Sequence, residues 1–335
     1  MRRLATIVFV IVICQLSIIN SVNAQSKWAE RFDRFDSLLA KRYAKGGYDT
    51  AYISRPEQKL TLKLRINGGG NTIEVKSDNL NGMRQEANFS TAMRMTMSIG
   101  ASYRGLGVSL GLNPAKWSGK NKDFALNLRY YTSFLSVDAS YQDSKTLHGE
   151  LGSGESKMHI DAGDVRLKTF LLSAYYTFNY RKFSMPAAFM QSYIQKRSAG
   201  SWLAGISYEG GSLKTDRNEE KGIPQSRTYI GNFAIGGGYA HNFVTNNQKW
   251  LFHFSLIPNV IIVNRNNITV EDERKYMGYK FPEMIFVNRF AVVYNINKRN
   301  FISMTTHFNI TAYHASETKI VNNRWNAHIC YGWRM

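Results

Sequence analysis

The chain has 335 residues, with 43 lysines and arginines against 24 aspartates and glutamates, and a formal net charge of +19. Its 2 cysteines give no disulfide framework and no spacing typical of zinc ligands, so we expect no structural metal and no cofactor. The length admits one large domain or two smaller ones, and a composition with 26 glycines, 38 tyrosines and phenylalanines (19 of each) and only 6 prolines favours a single all-β domain.

The N-terminus has the layout of a secretory signal peptide. The start is positively charged, residues 4–13 are apolar, and small or polar residues lead to Ala24. We predict cleavage after Ala24, which makes 1–24 the signal peptide. The alternative is a lipoprotein anchored at Cys14, but Ile13 stands where lipid attachment requires a small residue. The apolar run is too short for a permanent helical anchor.

Residues 25–47 form the next predicted element. Large apolar residues recur there at helical spacing before a glycine pair, at Trp28, Phe32, Phe35, Leu39 and Tyr43. This spacing predicts a periplasmic amphipathic helix of about four turns. Two roles remain open for it: a short lid packed on the domain that follows, or a plug or docking site for a periplasmic partner.

The rest of the chain, 48–335, alternates apolar and polar residues. In 91–103 one face would carry methionines and other apolar side chains, and the opposite face would carry Arg94, Thr96 and Ser98. The same alternation recurs in 106–112, 124–130, 135–141, 201–208, 302–311 and 325–334. Strands of this kind place lipid on one face and water on the other. We therefore predict an all-β fold, an antiparallel up-and-down transmembrane β-barrel of about 12 strands, within a range of 10–14.

Connection lengths indicate how the strands are oriented. Counting back from the C-terminus, 297–300 and 245–249 are short, as periplasmic turns are, whereas 264–280, 211–228 and 142–164 are long, as outer loops are. Near the start, Gly68-Gly69-Gly70 is predicted to be the turn of a hairpin. A soluble periplasmic sandwich also alternates, but the number of strands and the Trp and Tyr residues at strand ends favour a membrane.

The alternation fails over residues 178–201, where a short periplasmic turn is expected. Pro186 interrupts the pattern, and residues 187–190 are continuously apolar. A connection this long with its own apolar patch is predicted to fold inward or against the rim of the barrel. The candidate lumen or plug residues in it are Arg181, Lys182, Gln191, Gln195, Lys196, Arg197 and Ser198.

The stretch FNYRKFSMPAAFMQSYIQKRSAGSWLAGISYE, residues 178–209, resembles the signature of an uncharacterised family of outer-membrane β-barrels from the Bacteroidota. Three further stretches of that family have counterparts at 48–53, 103–107 and 128–131, so the resemblance covers essentially the whole mature chain. Met185 stands where the family pattern has an aromatic residue. The resemblance implies a barrel in the outer membrane of a Gram-negative cell and supplies no catalytic residue.

The charge bears on partners. Loss of 1–24 removes two arginines and no acids, which leaves the mature chain near 19 − 2 = +17. An exported protein does not meet nucleic acid, so the expected partners are outer-membrane lipid and the phosphates of lipopolysaccharide. Inward-facing Arg94, Arg129 and Arg334 would favour anions in a water-filled lumen. Solvated basic residues that bridge lipopolysaccharide are an equal alternative.

We expect a channel, porter-like or ligand-binding barrel with a basic lumen. One alternative is a structural or interaction barrel with a filled lumen, and a less favoured one is a lipid-modifying enzyme. The enzyme hypothesis depends on the last two strands, which would place His307 opposite Cys330 and Asn309 opposite His328. Because polar residues are the ordinary lining of a barrel, we predict that the protein is not an enzyme.

Overall fold

The structure is a computed structural model that describes residues 33–34, 36–38, 47–80, 83–103, 106–112, 123–153, 156–219, 225–270, 273–315 and 318–335. It divides into two units, Met1–Gly47 and Tyr48–Met335. In the first unit, residues 33–34 and 36–38 are helical. The predicted signal peptide and most of the predicted helix over 25–47 lie outside the described residues. Within the described part of the chain, no helix is long and apolar enough to cross a membrane.

The second unit consists mainly of strands. In chain order they are β1 (Ile53–Ser54), β2 (Leu60–Leu80), β3 (Met83–Thr91), β4 (Arg94–Tyr103), β5 (Leu106–Leu112), β6 (Phe124–Tyr131), β7 (Leu135–Ser144), β8 (Leu147–Ser153), β9 (Ser156–Ile160), β10 (Val165–Thr177), β11 (Ile194–Gln195), β12 (Ala199–Thr215), β13 (Ser226–Val244), β14 (Trp250–Asn264), β15 (Asn267–Val270), β16 (Glu273–Tyr276), β17 (Met284–Asn295), β18 (Asn300–Ala315) and β19 (Thr318–Arg334). A short helix, α1 (Met185–Phe189), lies between β10 and β11.

The described strands pair antiparallel, and one sheet holds all of them except β1 and β11, which pair with each other. The main series of neighbours is β5–β4–β2–β19–β18–β17–β14–β13–β12–β10–β7–β6. Strands β3, β8 and β9 extend from the far end of β2, and β15 and β16 extend from β13. Except for β2 and β19, which pair although they lie near opposite ends of the chain, strands that are adjacent in this series are also close in sequence, as in an up-and-down arrangement.

The sheet is curled, because side chains from distant strands meet on its concave face. Arg129 on β6 donates a hydrogen bond to Asn326 on β19, and seven strands separate β6 from β19 in the series. Likewise Arg289 on β17 donates to Asp138 on β7 across four intervening strands. The concave face therefore encloses an interior.

The distribution of apolar residues is the reverse of that in a soluble protein. On β4, Met97 and Ile99 point outward with exposed fractions of 45% and 63%, whereas Ser98 between them is 7% exposed. On β14, Phe254 is exposed and its neighbours His253 and Ser255 are buried. This agrees with the alternation in the sequence, and it assigns the apolar face to the outside.

The predicted turn at Gly68-Gly69-Gly70 is wrong. Strand β2 continues through it, with Gly70 opposite Trp325 on β19. A Cβ atom on Gly70 would lie 3.1 Å from the indole nitrogen of Trp325, and one on Gly68 would lie 3.7 Å from the same ring. The glycines therefore make room for the Trp325 indole against the strand instead of turning the chain.

The predicted connections agree with the structure at one end of the sheet and differ at the other. The short turns at 245–249 and 297–300 separate β13 from β14 and β17 from β18. The predicted long loops at 142–164 and 264–280 instead contain the hairpins β8–β9 and β15–β16. In such hairpins the backbone N–H and C=O groups are hydrogen-bonded to the neighbouring strand, and no apolar face is required. Because these strands lack an apolar face, the sequence pattern does not distinguish them from loops.

Candidate functional site

The interior contains two apolar clusters. The first, which we call the closing layer, surrounds α1 and continues along the inner faces of β13, β14 and β17; it consists of Tyr131, Tyr175, Phe183, Met185, Ala187, Ala188, Phe189, Ala199, Leu203, Ala234, Ala240, Leu251, Ile257, Ile261, Ile285, Val287, Ala291 and Val293. The second, the outer layer, lies towards the hairpins β8–β9 and β15–β16 and consists of Ile73, Leu147, Ile160, Val165, Leu167, Met277, Tyr313 and Ile320. Polar residues lie on the inner face beside these apolar side chains; on β17, for example, Arg289 lies between Val287 and Ala291 of the closing layer.

Helix α1 is at the centre of the closing layer. Its N-cap is Ser184, whose hydroxyl accepts a hydrogen bond from the Ala187 N–H at 3.2 Å, and Pro186 lies in its first turn. Both features favour helix initiation. All five residues of α1 are buried, so the apolar patch that interrupts the sequence alternation folds into the interior.

The Phe189 ring connects α1 to three walls of the sheet. Its centroid lies 5.5 Å from that of Tyr131 on β6, 4.9 Å from that of His253 on β14 and 5.3 Å from that of His307 on β18. Aromatic contacts at such distances add to the effect of burial alone. The helix is thereby packed against opposite sides of the interior.

A buried amide, Gln195, fixes the segment on either side of α1. Its side-chain oxygen accepts hydrogen bonds from the Ser184 N–H and from the Asn242 amide, both at 3.0 Å. Its amide nitrogen donates to the carbonyls of Lys182 at 2.6 Å and Arg197 at 3.0 Å. Both ends of the loop are therefore joined to each other and to β13 through one side chain.

The N-terminal part of the second unit is attached to the same segment. Strand β1 pairs with β11, with Ile53 opposite Gln195, and Ile53 is 1% exposed. The Asp49 N–H donates to the Arg181 carbonyl at 2.7 Å, and the Lys196 N–H donates to the Tyr52 carbonyl at 2.7 Å. Two stretches that carried the family resemblance, at 48–53 and 178–201, are thus in direct contact.

The structure divides the candidate plug residues into two groups. Gln191 and Gln195 are buried, and Gln191 donates a hydrogen bond to the Ala188 carbonyl at 2.9 Å. The remaining candidates are at the surface or partly buried: Arg181, Lys182, Arg197 and Ser198 are exposed, and Lys196 is half-buried. A lysine of the sheet also contacts this segment: Lys63 on β2 donates a hydrogen bond from its Nζ to the Met190 carbonyl at 2.5 Å.

Beside the closing layer, Asp138 on β7 is the centre of a charged network that we call the polar layer. Its Oδ2 accepts a hydrogen bond from Arg289 Nη2 at 2.5 Å, and its Oδ1 accepts one from the Tyr131 hydroxyl. Arg129 Nε lies 3.8 Å from the same Oδ1, and Arg129 Nη2 donates to the Asn326 side chain at 2.8 Å. A single carboxylate therefore faces two guanidinium groups.

The Tyr175 side chain extends this layer towards the far wall. Its hydroxyl lies 2.7 Å from the Ser207 hydroxyl and donates to Asn259 Oδ1 at 3.0 Å. The guanidinium carbon of Arg289 lies 5.3 Å from the centroid of the Tyr175 ring, a distance suited to a cation–π contact. Neutral hydrogen-bonded groups thus surround the charged ones on one side.

A cavity of about 40 Å³ lies beside the polar layer. It is lined by Asn127, Arg129, Asp138, Ala139, Ser140, Leu171, Ser173, Val287, Arg289, His307, Asn309, Arg324, Trp325 and Asn326. Two of the arginines that were predicted to face inward lie in different places. Arg129 lines this cavity. Arg334 is buried at the C-terminal end of β19, where its guanidinium carbon lies 4.6 Å from the centroid of the Phe301 ring.

The predicted register of the last hairpin is wrong by four residues. His307 lies opposite Asn326 and Asn309 opposite Arg324, while Cys330 lies opposite Ser303. The error arises because β19 begins at Thr318 and not at 325, so the two strands continue beyond the predicted turn. The proposed group of two histidines, an asparagine and a thiol is therefore not assembled as expected. No cluster of three or more metal-ligating side chains occurs among the described residues.

Sequence reasoning missed Arg289 and gave no role to Asp138. The alternation in β7 had placed Asp138 on the polar face, and Arg289 is the one charged residue of β17, so each carried a weak signal. Nothing in the sequence indicated that these two residues pair, because 151 residues separate them along the chain.

The chain belongs to a family described as a domain of unknown function, DUF4421, whose sequence model matches residues 47–335. The match includes the 178–201 segment and all the residues of both apolar layers. No curated protein sequence matches the chain significantly.

Comparison with solved structures gives matches of low identity. The outer membrane protease OmpT from Escherichia coli matches with a TM-score of 0.43 and 8% identity, over 84% of this chain and 97% of that one. The outer membrane protein OprG from Pseudomonas aeruginosa matches with a TM-score of 0.29 and 10% identity, over 84% and 99%. The P. putida toluene transporter TodX matches with a TM-score of 0.28 and 10% identity, over 84% and 93%.

Proposed function

We propose that this protein is a closed β-barrel of about twelve strands whose lumen is filled by its own chain. The main series of pairings contains twelve strands, and its two ends, β5 and β6, are consecutive in sequence. Contacts between side chains of β6 and β19 and of β7 and β17 cross the interior and support closure. Closure also removes the two open strand edges, which otherwise favour aggregation.

The barrel resides in a membrane. The support is the reversed burial, because an apolar outer surface is stable only when lipid covers it. Exposed aromatic residues lie near the edge of the sheet that contains the C-terminus, as is typical of a membrane interface: Trp202, Tyr239, Trp250, Tyr331 and Trp333. Assignment to the outer membrane of a Gram-negative cell, with its lipid and lipopolysaccharide as surroundings, rests on the predicted signal peptide and on the family resemblance.

Within that barrel, the protein functions as a structural or interaction protein and not as a constantly open channel. One observation carries this proposal: all five residues of α1 are buried in the closing layer, and Phe189 contacts opposite walls. A permanent aqueous pore requires a continuous polar path, and the closing layer interrupts such a path with apolar side chains. The burial of α1 therefore supports a filled lumen over an open one.

The interaction face lies at the chain-terminal end, where residues 48–55 meet the 181–198 segment. Arg181, Lys182 and Arg197 are exposed there, and the Lys182 ammonium lies 5.1 Å from the Tyr52 ring centroid. Exposed cations beside aromatic rings favour a partner with an acidic surface. With short turns at this end, the partner is periplasmic.

A ligand-binding barrel with a basic lumen is the second candidate, because the polar layer contains more arginines than acids. Transport through the lumen would need α1 to leave the closing layer. We do not propose an enzyme, since the register separates His307 from Cys330.

Planar-bilayer recording of the mature protein tests the main proposal. Wild type is expected to give no steady single-channel current, and deletion of residues 185–191 is expected to produce one. A deletion in the β8–β9 turn, far from α1, is the control and is expected to stay silent. Gel mobility with and without boiling verifies that each variant is folded. A steady current from folded wild type would refute the filled lumen.

A further inference from the structure

We propose that the polar layer contains a binding site for one small tetrahedral oxyanion, such as phosphate or sulfate, held by Arg129, Arg289 and Arg324. This inference rests on the filled barrel proposed above, because Val287 of the closing layer and His307, which contacts Phe189 of α1, both line the cavity. It assigns to the lumen a ligand class that the fold by itself does not specify.

The first argument is the state of Arg289. This side chain is fully buried, at 0% exposure, and it lines the cavity. Only its Nη2 has a hydrogen-bond acceptor among the described residues, which is Asp138, and its Nε and Nη1 have none. A buried N–H without an acceptor is costly, and a guanidinium with free donors matches the geometry of oxyanion oxygens. The cavity beside it is where an acceptor can lie.

The second argument is charge. The side chains that line the cavity include three arginines and one acid, Asp138, so the lining has a net charge of 3 − 1 = +2. The other buried acid nearby, Glu209, is not part of the lining; it accepts a hydrogen bond from Asn322 at 3.0 Å and offsets part of the charge of Arg324, so the lining keeps a net positive charge. In a low-dielectric interior, uncompensated positive charge is strongly unfavourable, and a bound dianion balances this lining.

Neutral donors complete the set. His307 lines the cavity and its Nε2 has no partner among the described residues, although its ring contacts Phe189. Asn309 and Asn326 contribute amide groups to the same cavity. Charged and neutral donors on several sides are how proteins bind inorganic oxyanions without a metal ion.

The third argument is size. The cavity of about 40 Å³ has room for roughly three water molecules, since one water needs about 10–15 Å³ measured in this way. A tetrahedral oxyanion has a comparable size. The volume therefore suits a small inorganic oxyanion held by the arginines that line the cavity.

Isothermal titration calorimetry of the mature protein in detergent, at constant ionic strength, tests the site. We expect saturable binding of one sulfate or phosphate per barrel, and weaker binding of chloride. Arg324→Gln should weaken sulfate binding by at least about tenfold, the value of one lost charge-assisted hydrogen bond. Arg227→Gln is the matched control: this arginine is exposed, lies near the Tyr229 ring outside the cavity and should bind sulfate as wild type does.

Three results would overturn the site: no saturable binding by folded protein, an equal loss in Arg227→Gln and Arg324→Gln, or chloride binding as tight as sulfate. Arg289→Gln is informative only if it folds, so Arg324→Gln is the deciding variant. Single-channel recording on the same protein distinguishes a failure of the oxyanion site from a failure of the proposed filled lumen. A conducting barrel that still binds sulfate through Arg324 contradicts the filled lumen alone, whereas a silent barrel without saturable binding contradicts the oxyanion site alone.

Discussion

The closing layer and the polar layer occupy the same interior but fill it in opposite ways. Around α1, apolar side chains pack against each other and against the walls, and the helix is buried throughout. Around Asp138, side chains are held by hydrogen bonds and ion pairs, and a cavity remains between them. The comparison teaches that the interior of one curled sheet can contain both a tightly packed apolar layer and a hydrogen-bonded layer with a cavity. Apolar packing needs no fixed partner for each atom, whereas every buried polar group does.

The largest expected effect comes from removing the centre of the closing layer. Phe189→Ala should lower the free energy of unfolding by about 3–5 kcal/mol, because it leaves a cavity between Tyr131, His253 and His307. Denaturant titration followed by tryptophan fluorescence measures it. The control is Phe178→Ala, since Phe178 is 59% exposed and should matter little. Equal losses in the two variants would contradict the packing of α1 in the interior.

The polar layer should be weakened next most by loss of its carboxylate. Asp138→Ala leaves the guanidinium groups of Arg289 and Arg129 without their counter-charge, and we expect a loss of about 2–3 kcal/mol after allowance for the 19% exposure of Asp138. Asp143→Ala is the matched control. Its partner Arg166, at 2.6 Å, is 42% exposed, so solvent replaces the lost pair. The same titration applies, and a greater loss in Asp143→Ala would argue against a buried network.

Substitution of a glycine in β13, a strand of the surrounding sheet, should lower the free energy of unfolding by less. A Cβ atom on Gly238 would lie 2.0 Å from the Leu256 carbonyl oxygen of the neighbouring strand, so Gly238→Ala must shift backbone and should cost about 1–3 kcal/mol. On the same strand, a Cβ on Gly231 meets nothing closer than 3.7 Å, and Gly231→Ala should be tolerated. Thermal unfolding of the pair distinguishes them. Identical unfolding midpoints for the two variants would contradict the close approach of Gly238 to the Leu256 carbonyl oxygen.

Outside both layers, the smallest effect is expected. Arg181 is exposed, and among the described residues its contact is made by its backbone carbonyl, which accepts a hydrogen bond from the Asp49 N–H. Arg181→Gln should therefore leave the unfolding midpoint unchanged while weakening attachment of an acidic partner at the interaction face. A clear drop in the midpoint would mean that this side chain contributes to the closing segment.

Much of the wall was predictable from sequence, because a side-chain period of two follows directly from strand geometry. The alternation predicted the faces of β4, and its failure over 178–201 predicted that this segment folds inward. Composition misled at Gly68-Gly69-Gly70, since glycines serve both as turns and as space for a large ring such as Trp325.

The candidate site was much less predictable. Contacts across the interior, such as Asp138 with Arg289, depend on how the sheet curls and how far each strand is shifted against its neighbour. Neither quantity appears in the local pattern. The four-residue error in the last hairpin shows the scale of the problem, because a shift that keeps the same face inward leaves the alternation unchanged.

The filled lumen can be tested most directly through Cys330, the only cysteine of the predicted mature chain. It lies on the inner face of β19 between Ser303 and Arg65 and is 1% exposed. A water-soluble maleimide should therefore not label folded wild type in detergent, and should label it fully after denaturation. An Arg197→Cys variant, whose new thiol is exposed, should be labelled in the folded state. Labelling of folded wild type as fast as that of the variant would contradict a filled lumen.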